Sequence, residues 1–290
     1  MTDTTRIEKD PLGTLPVPSN ALYGVQTLRA VQNFPISGLK PLPAFVDAVV
    51  RIKRAAAITH KETGRLDGKL ADAIIAAADE ILAGKHREHF VVDPYQAGAG
   101  TSHNMNINEV LANRANEILG GNRGEYKPVH PNDHVNMAQS TNDVIPTAIR
   151  LGAVTELPKL QAAFDNLIGA FESKGKEFDD VMKSGRTHLQ DAMPIRLGQE
   201  FNAYAGSLRR SLQRVSEAAN YLRDLGIGGS AVGTGVNVEP AYPTIMVREL
   251  AISSGVELRE GKDRIQLMQS MGDAAAFSSA MKVLAIDLSK

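Results

Sequence analysis

The chain contains no cysteine among its 290 residues, and this absence limits its chemistry. Disulfide bonds, thiolate metal ligands and a cysteine nucleophile are all excluded. Any catalysis by these residues must therefore use oxygen or nitrogen atoms, or water.

The sequence also lacks an excess of charge and lacks a long hydrophobic run. Its 32 basic and 33 acidic residues nearly cancel, and no lysine or arginine tract offers a footprint for nucleic acid. No apolar run approaches the roughly 20 residues that a membrane-spanning helix needs, and residues 1–6 lack the apolar core of a signal peptide. With 43% hydrophobic residues, the chain can still bury a sizeable core. We expect a globular cytoplasmic protein with no membrane and no nucleic-acid partner.

Apolar periodicity predicts a small helical N-terminal domain over residues 1–140. The first 42 residues are rich in proline and predict extended or turning backbone. Apolar residues then recur at helical steps over 43–60 and over 70–82, the second run behind a capping Asp67. A third helix is predicted over 106–119, where Gly120 ends it.

Longer amphipathic helices are predicted in residues 141–290. One runs from about 143 to 182, and another covers 197–222 with apolar positions close to the helical period. A third apolar stripe over 267–288 keeps its helical spacing up to Lys290, with no capping residue after it. We therefore expect that the sequence is cut inside a long helix; the alternative is a helix that frays there. Such long stripes favour a bundle that packs across subunits. The predicted fold class is mainly α, with an incomplete helical-bundle domain after the N-terminal domain.

Three segments dense in glycine and hydroxyl residues interrupt this helical pattern. They are 98–106 (GAGTSHNMN), 139–143 (QSTND) and 185–191 (GRTHLQD). Each places Thr or Ser beside Asn or His before an apolar-periodic stretch, where helix N-terminal N–H groups and hydroxyls can bind an anion. Three such segments predict a carboxylate site.

The segment 139–143 supplies the best candidates for direct contact with a substrate. Ser140 and Thr141 can donate hydrogen bonds to a carboxylate, and the Asn142 side-chain carbonyl can accept from an ammonium or hydroxyl group. The alternative is redundant helix capping, for which one Ser, Thr or Asp suffices.

The segment 98–106 lacks the Gly-Lys-Ser/Thr of a phosphate-binding loop and the third glycine of a dinucleotide fingerprint, which disfavours nucleotide binding. Its glycines let backbone approach a small ligand, with Thr101 and Ser102 supplying hydroxyls and Asn104 and Asn106 fixing the loop. A plain turn is the alternative.

His188, in segment 185–191, is the titratable residue best suited to chemistry near neutral pH. Thr187 precedes it, and Gly185 and Pro194 bracket an irregular loop of the kind in which site residues concentrate. A purely structural histidine is the alternative.

Other polar features predict structure rather than chemistry. A fourth glycine-rich stretch, 228–235, is either a tight structural crossover or part of the site. His130 and His134 are expected to organise the loop before Gln139. No spacing of His, Asp and Glu indicates a metal site.

The same segments carry a family resemblance that covers essentially the whole chain. The chain resembles the aspartase/fumarase superfamily at 98–106, 132–136 (NDHVN), 139–143, 185–192 (GRTHLQDA) and 233–237 (GTGVN). Within it, GAGTS and QSTND resemble the aspartate ammonia-lyase branch, since fumarases more often read SGT and QSSND.

The resemblance implies a homotetramer whose central bundle carries active sites built from three subunits. It also implies anti elimination of ammonia from L-aspartate to give fumarate, through a carbanion stabilised as an aci-carboxylate, with no cofactor. Hydrogen-bond donors that point at the carboxylate gaining negative charge would stabilise the transition state of the elimination more than the bound substrate.

The resemblance also assigns roles to individual residues. Three hydroxyl residues would hold the carboxylate beside the carbon that loses its proton: Thr101, Ser140 and Thr141. Ser102 is a further candidate binding residue. Asn142 would contact the amino group, and Thr187 with His188 would bind the other carboxylate. The catalytic candidates are therefore Ser140, Thr141 and His188.

The sequence departs from the family in two respects. Family members continue past Lys290, and their Gly-Ser-Ser-x-Met-Pro-x-Lys-x-Asn loop, which carries the serine base, is absent from these residues. We therefore expect the 290 residues alone to turn over aspartate negligibly. His103 stands where relatives often carry another residue, and is expected to alter loop packing or ligand contact. The alternatives are a fumarate hydratase and, in a different class, a non-catalytic helical assembly fragment.

Overall fold

The computed structural model describes residues 4–290; residues 1–3 of the N-terminal segment lie outside this range. The chain forms two compact units. The first comprises residues up to Thr155 together with Arg223–Met271, and the second comprises Glu156–Leu222 together with Gly272–Lys290. The domain boundary predicted at residue 140 stays a prediction about the native protein.

Helices dominate the described residues, and the predicted mainly α class is confirmed. They are α1 (Val25–Asn33), α2 (Pro43–Glu62), α3 (Gly68–Leu82), α4 (Thr101–Ile118), α5 (Thr141–Glu177), α6 (Leu197–Tyr221), α7 (Tyr242–Ser254), α8 (Arg264–Gln269) and α9 (Gly272–Leu288). A 3₁₀ turn covers Arg87–His89, and a turn of π-helix covers Pro131–Val135. No helix within residues 4–290 is long and apolar enough to cross a membrane.

Three two-stranded sheets complete the secondary structure of residues 4–290. Their strands are β1 (Thr5–Asp10), β2 (Gly13–Pro18), β3 (Met182–Thr187), β4 (Gln190–Arg196), β5 (Asp224–Leu225) and β6 (Arg259–Glu260). β1 pairs with β2 and β3 with β4 in antiparallel register, while β5 and β6 are parallel. Pro11, Pro16 and Pro18 thus lie in the β1–β2 hairpin, and Pro35 and Pro41 lie between α1 and α2. α1 is a short helix that apolar periodicity did not predict.

The core of the first unit is built on α2, which packs against α3 and α7. Its stripe of Val46, Val49 and Ile52 is almost fully buried, as is Ile74 of α3. Burying side chains of this size contributes about 1.5–3 kcal/mol each. Asp67 begins α3 as predicted, because its carboxylate accepts the N–H groups of the first turn.

The core of the second unit confirms the long amphipathic stripes. Buried residues from the later part of α5, from α6 and from α9 pack together: Leu157, Phe164, Ile168, Ala205, Leu208, Leu212, Val215, Ala219 and Leu284. α6 covers nearly the whole of the predicted 197–222 helix. The apolar residues of α6 recur at steps of three and four and face α9. This regular spacing is why the helix could be predicted from the sequence.

Two predicted helix boundaries were wrong. α4 begins at Thr101 rather than at residue 106, so Asn104 and Asn106 belong to a helix and not to a loop. The stripe over 267–288 is two helices, because Ser270 adopts extended backbone between α8 and α9. In both places polar residues weaken the apolar periodicity from which helix boundaries are predicted.

The predicted irregular loop between Gly185 and Pro194 was also wrong. These residues form the β3–β4 hairpin, which is closed by the two-residue turn His188–Leu189. Both turn residues have positive φ, at 48° and 62°, as type I′ turns require. Most of the hairpin is exposed on both faces, so no apolar alternation marked it as strand.

Candidate functional site

Two helix N-termini meet in the first unit, those of α4 and α5. Gly100, which has φ of 78° and precedes α4, packs so closely on Ile145 of α5 that a Cβ there would lie 2.9 Å from the isoleucine side chain. The side-chain amide of Asn104 donates to Thr141 Oγ1 at 3.4 Å. The two positive helix ends are therefore held next to each other, an arrangement that favours an anion.

The hydroxyls of Ser140 and Thr141 both accept hydrogen bonds at the start of α5. Ser140 Oγ accepts the Asn142 N–H at 3.1 Å, and Thr141 Oγ1 accepts from Asn104. The predicted capping role is thus real for Ser140. Since a hydroxyl both accepts and donates, each side chain keeps its own proton for a further acceptor such as a carboxylate.

Thr101 and Ser102 form the first turn of α4. Thr101 is exposed, and Ser102 is half-buried with its N–H donating to Gln96 Oε1 at 2.9 Å. Asn104 follows them and is almost fully buried, and its Oδ1 has no hydrogen-bond partner among the described residues. The N-terminal end of α4 therefore offers hydroxyls, backbone N–H groups and one amide oxygen without a hydrogen-bond partner.

Asn142 is held by the glycine-rich stretch. Its Nδ2 donates to the backbone carbonyl of Ala231 at 2.9 Å, while the rest of the side chain is exposed. With Nδ2 engaged, Oδ1 is the amide atom left to accept from an ammonium or hydroxyl group.

Asp143 anchors the glycine-rich stretch to α5. Its buried carboxylate accepts the backbone N–H groups of Ser140, Gly228 and Ser230 at 2.9, 3.1 and 3.0 Å. Burial raises the pKa of Asp143 to about 6, against the effect of these hydrogen bonds and of Lys53. The carboxylate thus both completes the cap of α5 and positions the chain that holds Asn142.

The glycines of the stretch 228–235 are required by packing. A Cβ at Gly233 would lie 2.5 Å from the Ile265 Cα, and one at Gly229 would lie 2.3 Å from the Met268 sulfur. The stretch is therefore a tight structural crossover whose backbone also contacts the candidate site.

A buried lysine lies beneath these helix ends. Lys53 Nζ donates to Asn136 Oδ1 at 2.8 Å and to Gln139 Oε1 at 3.0 Å, and Asn104 donates to the same Asn136 oxygen. Burial lowers the pKa of Lys53 to about 7, and the Asp143 charge opposes this shift. The network connects α2, α4 and the segment that precedes α5.

Sequence reasoning missed Lys53 and the role of Asp143. Lys53 occupies a position of α2 that continues the buried stripe through Val49 and Ala56, and a lysine at such a position was the available signal. Asp143 lies three residues after Ser140, which is the spacing of a capping box.

Three histidines outside the site have structural contacts. His103 is buried against Phe45, with ring centroids 5.3 Å apart, and burial lowers its pKa to about 4. It is thus a packing residue of α4. His134 Nδ1 accepts the His130 N–H at 2.8 Å, which confirms that this pair organises the segment before Gln139.

The second unit carries the remaining predicted site residues. Thr187 ends β3 and His188 begins the hairpin turn, and both are exposed. Arg186 and Asp191 pair across the hairpin at 3.2 Å. The sequence had predicted that the third polar segment lies at a helix N-terminus. That prediction was wrong, because the segment lies in the β3–β4 hairpin. In the first unit, Thr101 and Ser102 begin α4, and Ser140, Thr141 and Asn142 lie at the start of α5. These two helix starts are in contact through Gly100 with Ile145 and through Asn104 with Thr141.

Comparison with known proteins identifies the family. A family model described as lyase matches residues 13–290. The chain belongs to this lyase family. Its resemblance to the aspartase/fumarase superfamily is confirmed by relatives of both kinds.

These lyase relatives are similar along nearly the whole chain. An aspartate ammonia-lyase of Pseudomonas aeruginosa is 49% identical over 290 residues, with 99% of this chain and 61% of the relative covered. A fumarate hydratase class II of Ralstonia nicotianae is 46% identical, with 99% and 62% covered. The crystal structure of fumarate lyase:delta crystallin from Brucella melitensis bound to cobalt superposes with a TM-score of 0.96 at 47% identity, covering 98% of this chain and 62% of that one. The chain thus spans about three fifths of the length of the lyases it matches.

Proposed function

We propose that the native protein is an aspartate ammonia-lyase that converts L-aspartate to fumarate and ammonia, and that the 290 residues supply part of its carboxylate-binding site. The observation that carries the proposal is the meeting of the α4 and α5 N-termini, with Ser140 and Thr141 offering hydroxyl protons at one point. Several aspartate ammonia-lyases that are 45–49% identical to the chain support it.

The reaction needs a place for negative charge to accumulate. A base removes a proton from the carbon beside one carboxylate, the electron pair moves into that carboxylate, and ammonia then leaves from the neighbouring carbon. Thr101, Ser140 and Thr141 donate to the carboxylate as its charge grows. Their donors are fixed before the reaction by the helix ends, so they stabilise the intermediate more than the substrate.

Asn142 is proposed to recognise the amino group. Its Nδ2 is held by the Ala231 carbonyl, which leaves Oδ1 to accept from the substrate ammonium. Ser102 contributes at the edge of the site, where its backbone N–H is already bound to Gln96.

Thr187 and His188 are proposed to bind the second carboxylate. Both are exposed in the hairpin of the second unit, so they are available to a ligand or to a neighbouring subunit. Assembly into a homotetramer with shared sites, and a cytoplasmic location, belong to the same proposal. A family member with this arrangement needs no cofactor for the elimination.

Fumarate hydratase is the second candidate, and the 46% identity to the Ralstonia nicotianae enzyme favours it. The two reactions share the dicarboxylate and the carbanion, and differ in whether ammonia or water leaves. The two candidates therefore differ in whether Asn142 Oδ1 accepts a hydrogen bond from an ammonium group or from a hydroxyl group of the substrate.

The deciding experiment is a pair of assays on the native protein that carries these residues. We expect ultraviolet absorbance of fumarate to appear from L-aspartate, with stoichiometric release of ammonia, and not from L-malate. Conversion of malate with aspartate untouched would overturn the proposal in favour of the hydratase. Conversion of neither substrate, with no binding of succinate, would overturn both.

A further inference from the structure

Three metal-ligand side chains converge at the turn that follows α3. His86, Glu88 and His89 each offer one ligand atom, and these three atoms lie within 4.8 Å of one another. The two imidazole rings are nearly parallel, at 23°, with centroids 6.3 Å apart. His86 has φ of 62°, an uncommon conformation for a residue with a side chain, and it turns the backbone directly into the 3₁₀ turn.

A carboxylate fixes the proton of His86. Glu80 accepts two hydrogen bonds from Arg114, at 2.6 and 2.8 Å, which holds it as the ionised carboxylate. The same carboxylate lies 2.9 Å from His86 Nε2. Because an ionised carboxylate can only accept, Nε2 carries the proton, and the lone pair of the neutral ring lies on Nδ1. A carboxylate behind a histidine is the usual outer partner of a metal ligand.

His89 is oriented from the other side. Its Nδ1 faces the Leu22 N–H at 3.5 Å, so the neutral ring carries its proton on Nε2. Nε2 lies 3.4 Å from a Glu88 oxygen. The side chain of His89 is only 12% exposed, whereas that of Glu88 is 71% exposed and can adjust. For Nε2 to bind a metal, the ring proton must move to Nδ1, and the long contact with the Leu22 N–H is given up.

Three arginines near this cluster are paired with carboxylates. Arg87 pairs with Asp47 at 2.5 Å, Arg114 pairs with Glu80 and Glu117, and Arg123 also pairs with Glu117. These pairs limit the repulsion that a bound divalent cation would meet.

We propose that His86, Glu88 and His89 form a binding site for one divalent transition metal of the Zn²⁺ type. Two imidazole nitrogens and one carboxylate oxygen, with water as a fourth ligand, suit Zn²⁺. Mg²⁺ and Ca²⁺ prefer oxygen ligands throughout and should bind poorly. The site shares no residue with the proposed carboxylate site, so it goes beyond the proposed function. The short His-x-Glu-His sequence gave no helical spacing by which it could be recognised.

Calorimetric titration of Zn²⁺ into the native protein tests the site, after chelator treatment and without a histidine tag. We expect one tight site per chain, retained when Mg²⁺ is added in excess. His86→Gln and His89→Gln should each abolish tight binding. His130→Gln changes a partly exposed histidine outside the cluster and should leave it intact. Absence of tight Zn²⁺ binding, or binding unchanged in both cluster variants, would overturn the proposal whether or not the enzyme assays succeed.

Two further variants guard against loss of folding. Glu88→Gln alters an exposed side chain and should weaken Zn²⁺ binding while leaving the circular dichroism spectrum unchanged. Glu80→Gln removes the outer partner and should reduce affinity about 10- to 100-fold. Zinc-edge X-ray absorption should report two histidine nitrogens in the wild-type protein and one in zinc-loaded His86→Gln or His89→Gln protein that remains folded. A count of two in both histidine variants would contradict the site.

Discussion

The carboxylate of Asp143 accepts the backbone N–H of Gly228 at 3.1 Å, and thereby joins the start of α5 to the glycine-rich stretch 228–235. The same carboxylate also accepts from Ser140 and Ser230. Helix capping and loop anchoring therefore depend on one buried side chain.

Asp143→Ala should destabilise the fold strongly. The substitution leaves three N–H groups without their acceptor, and each such loss costs about 1–3 kcal/mol when the group stays buried. Thermal unfolding measures the effect, with Asp165→Ala, an exposed position in α5, as the matched control. Equal melting temperatures for the two variants would show that Asp143 does not hold the stretch.

Thr141→Val should reduce turnover more than substrate binding. Valine keeps the shape of threonine but removes the hydroxyl proton that we assign to the charged intermediate, and loss of one such donor typically lowers kcat about 10²- to 10³-fold. Steady-state kinetics on the native enzyme measures this. Thr155→Val is the control, because its hydroxyl bonds within α5 to the Gly152 carbonyl. An unchanged kcat in Thr141→Val would remove this residue from the catalytic set.

Asn142→Ala should weaken binding of aspartate but not of succinate. The assigned contact is between Oδ1 and the substrate ammonium, which succinate lacks. Inhibition constants for succinate and KM for aspartate separate the two effects, and Asn166→Ala, also exposed on α5, is the control. A parallel loss for both ligands would mean that Asn142 acts only by supporting the site.

His103 should make the fold sensitive to acid. Burial lowers its pKa from 6.5 to about 4, so the unfolded chain binds a proton between these values that the folded chain does not. The contribution of neutral His103 to the free energy of unfolding is fully present above pH 6.5. It falls as the pH approaches 4, by up to about 1.4 kcal/mol per pH unit. Urea unfolding at several pH values measures the slope. His103→Gln should flatten it, whereas the exposed His188→Gln should not; equal slopes would contradict the assignment.

Much of the fold could be predicted because its helices bury one apolar face. The stripe of α6 lies on a core that includes Leu284 of α9, so its period survived in the sequence. The start of α4 was harder to predict, because the buried side chains of this helix include asparagines that donate hydrogen bonds to the backbone of loops. Asn106 donates to the His89 carbonyl, Asn113 to Leu22 and Asn116 to Val129. A buried polar face gives no amphipathic signal.

The residues of the candidate site were proposed from the sequence, but the contacts that hold them in place could not be. Ser140, Thr141 and Asn142 were visible as a hydroxyl and amide cluster before a helix. Lys53 lies 86 positions from its partner Gln139, and Asp143 binds a stretch 85 positions away. Such pairings depend on the tertiary fold, and single-sequence patterns extend only over a few helical turns.

One atom at Ser140 has a consequence for dynamics. Ser140 Oγ closes the first turn of α5 by accepting the Asn142 N–H. If its proton is donated to the ligand, as we propose, then ligand binding and fraying of this turn are thermodynamically linked. Occupation by a dicarboxylate should therefore slow amide hydrogen exchange at the beginning of α5, and a mutation that frays this turn should lower affinity even where no contact to the ligand is lost.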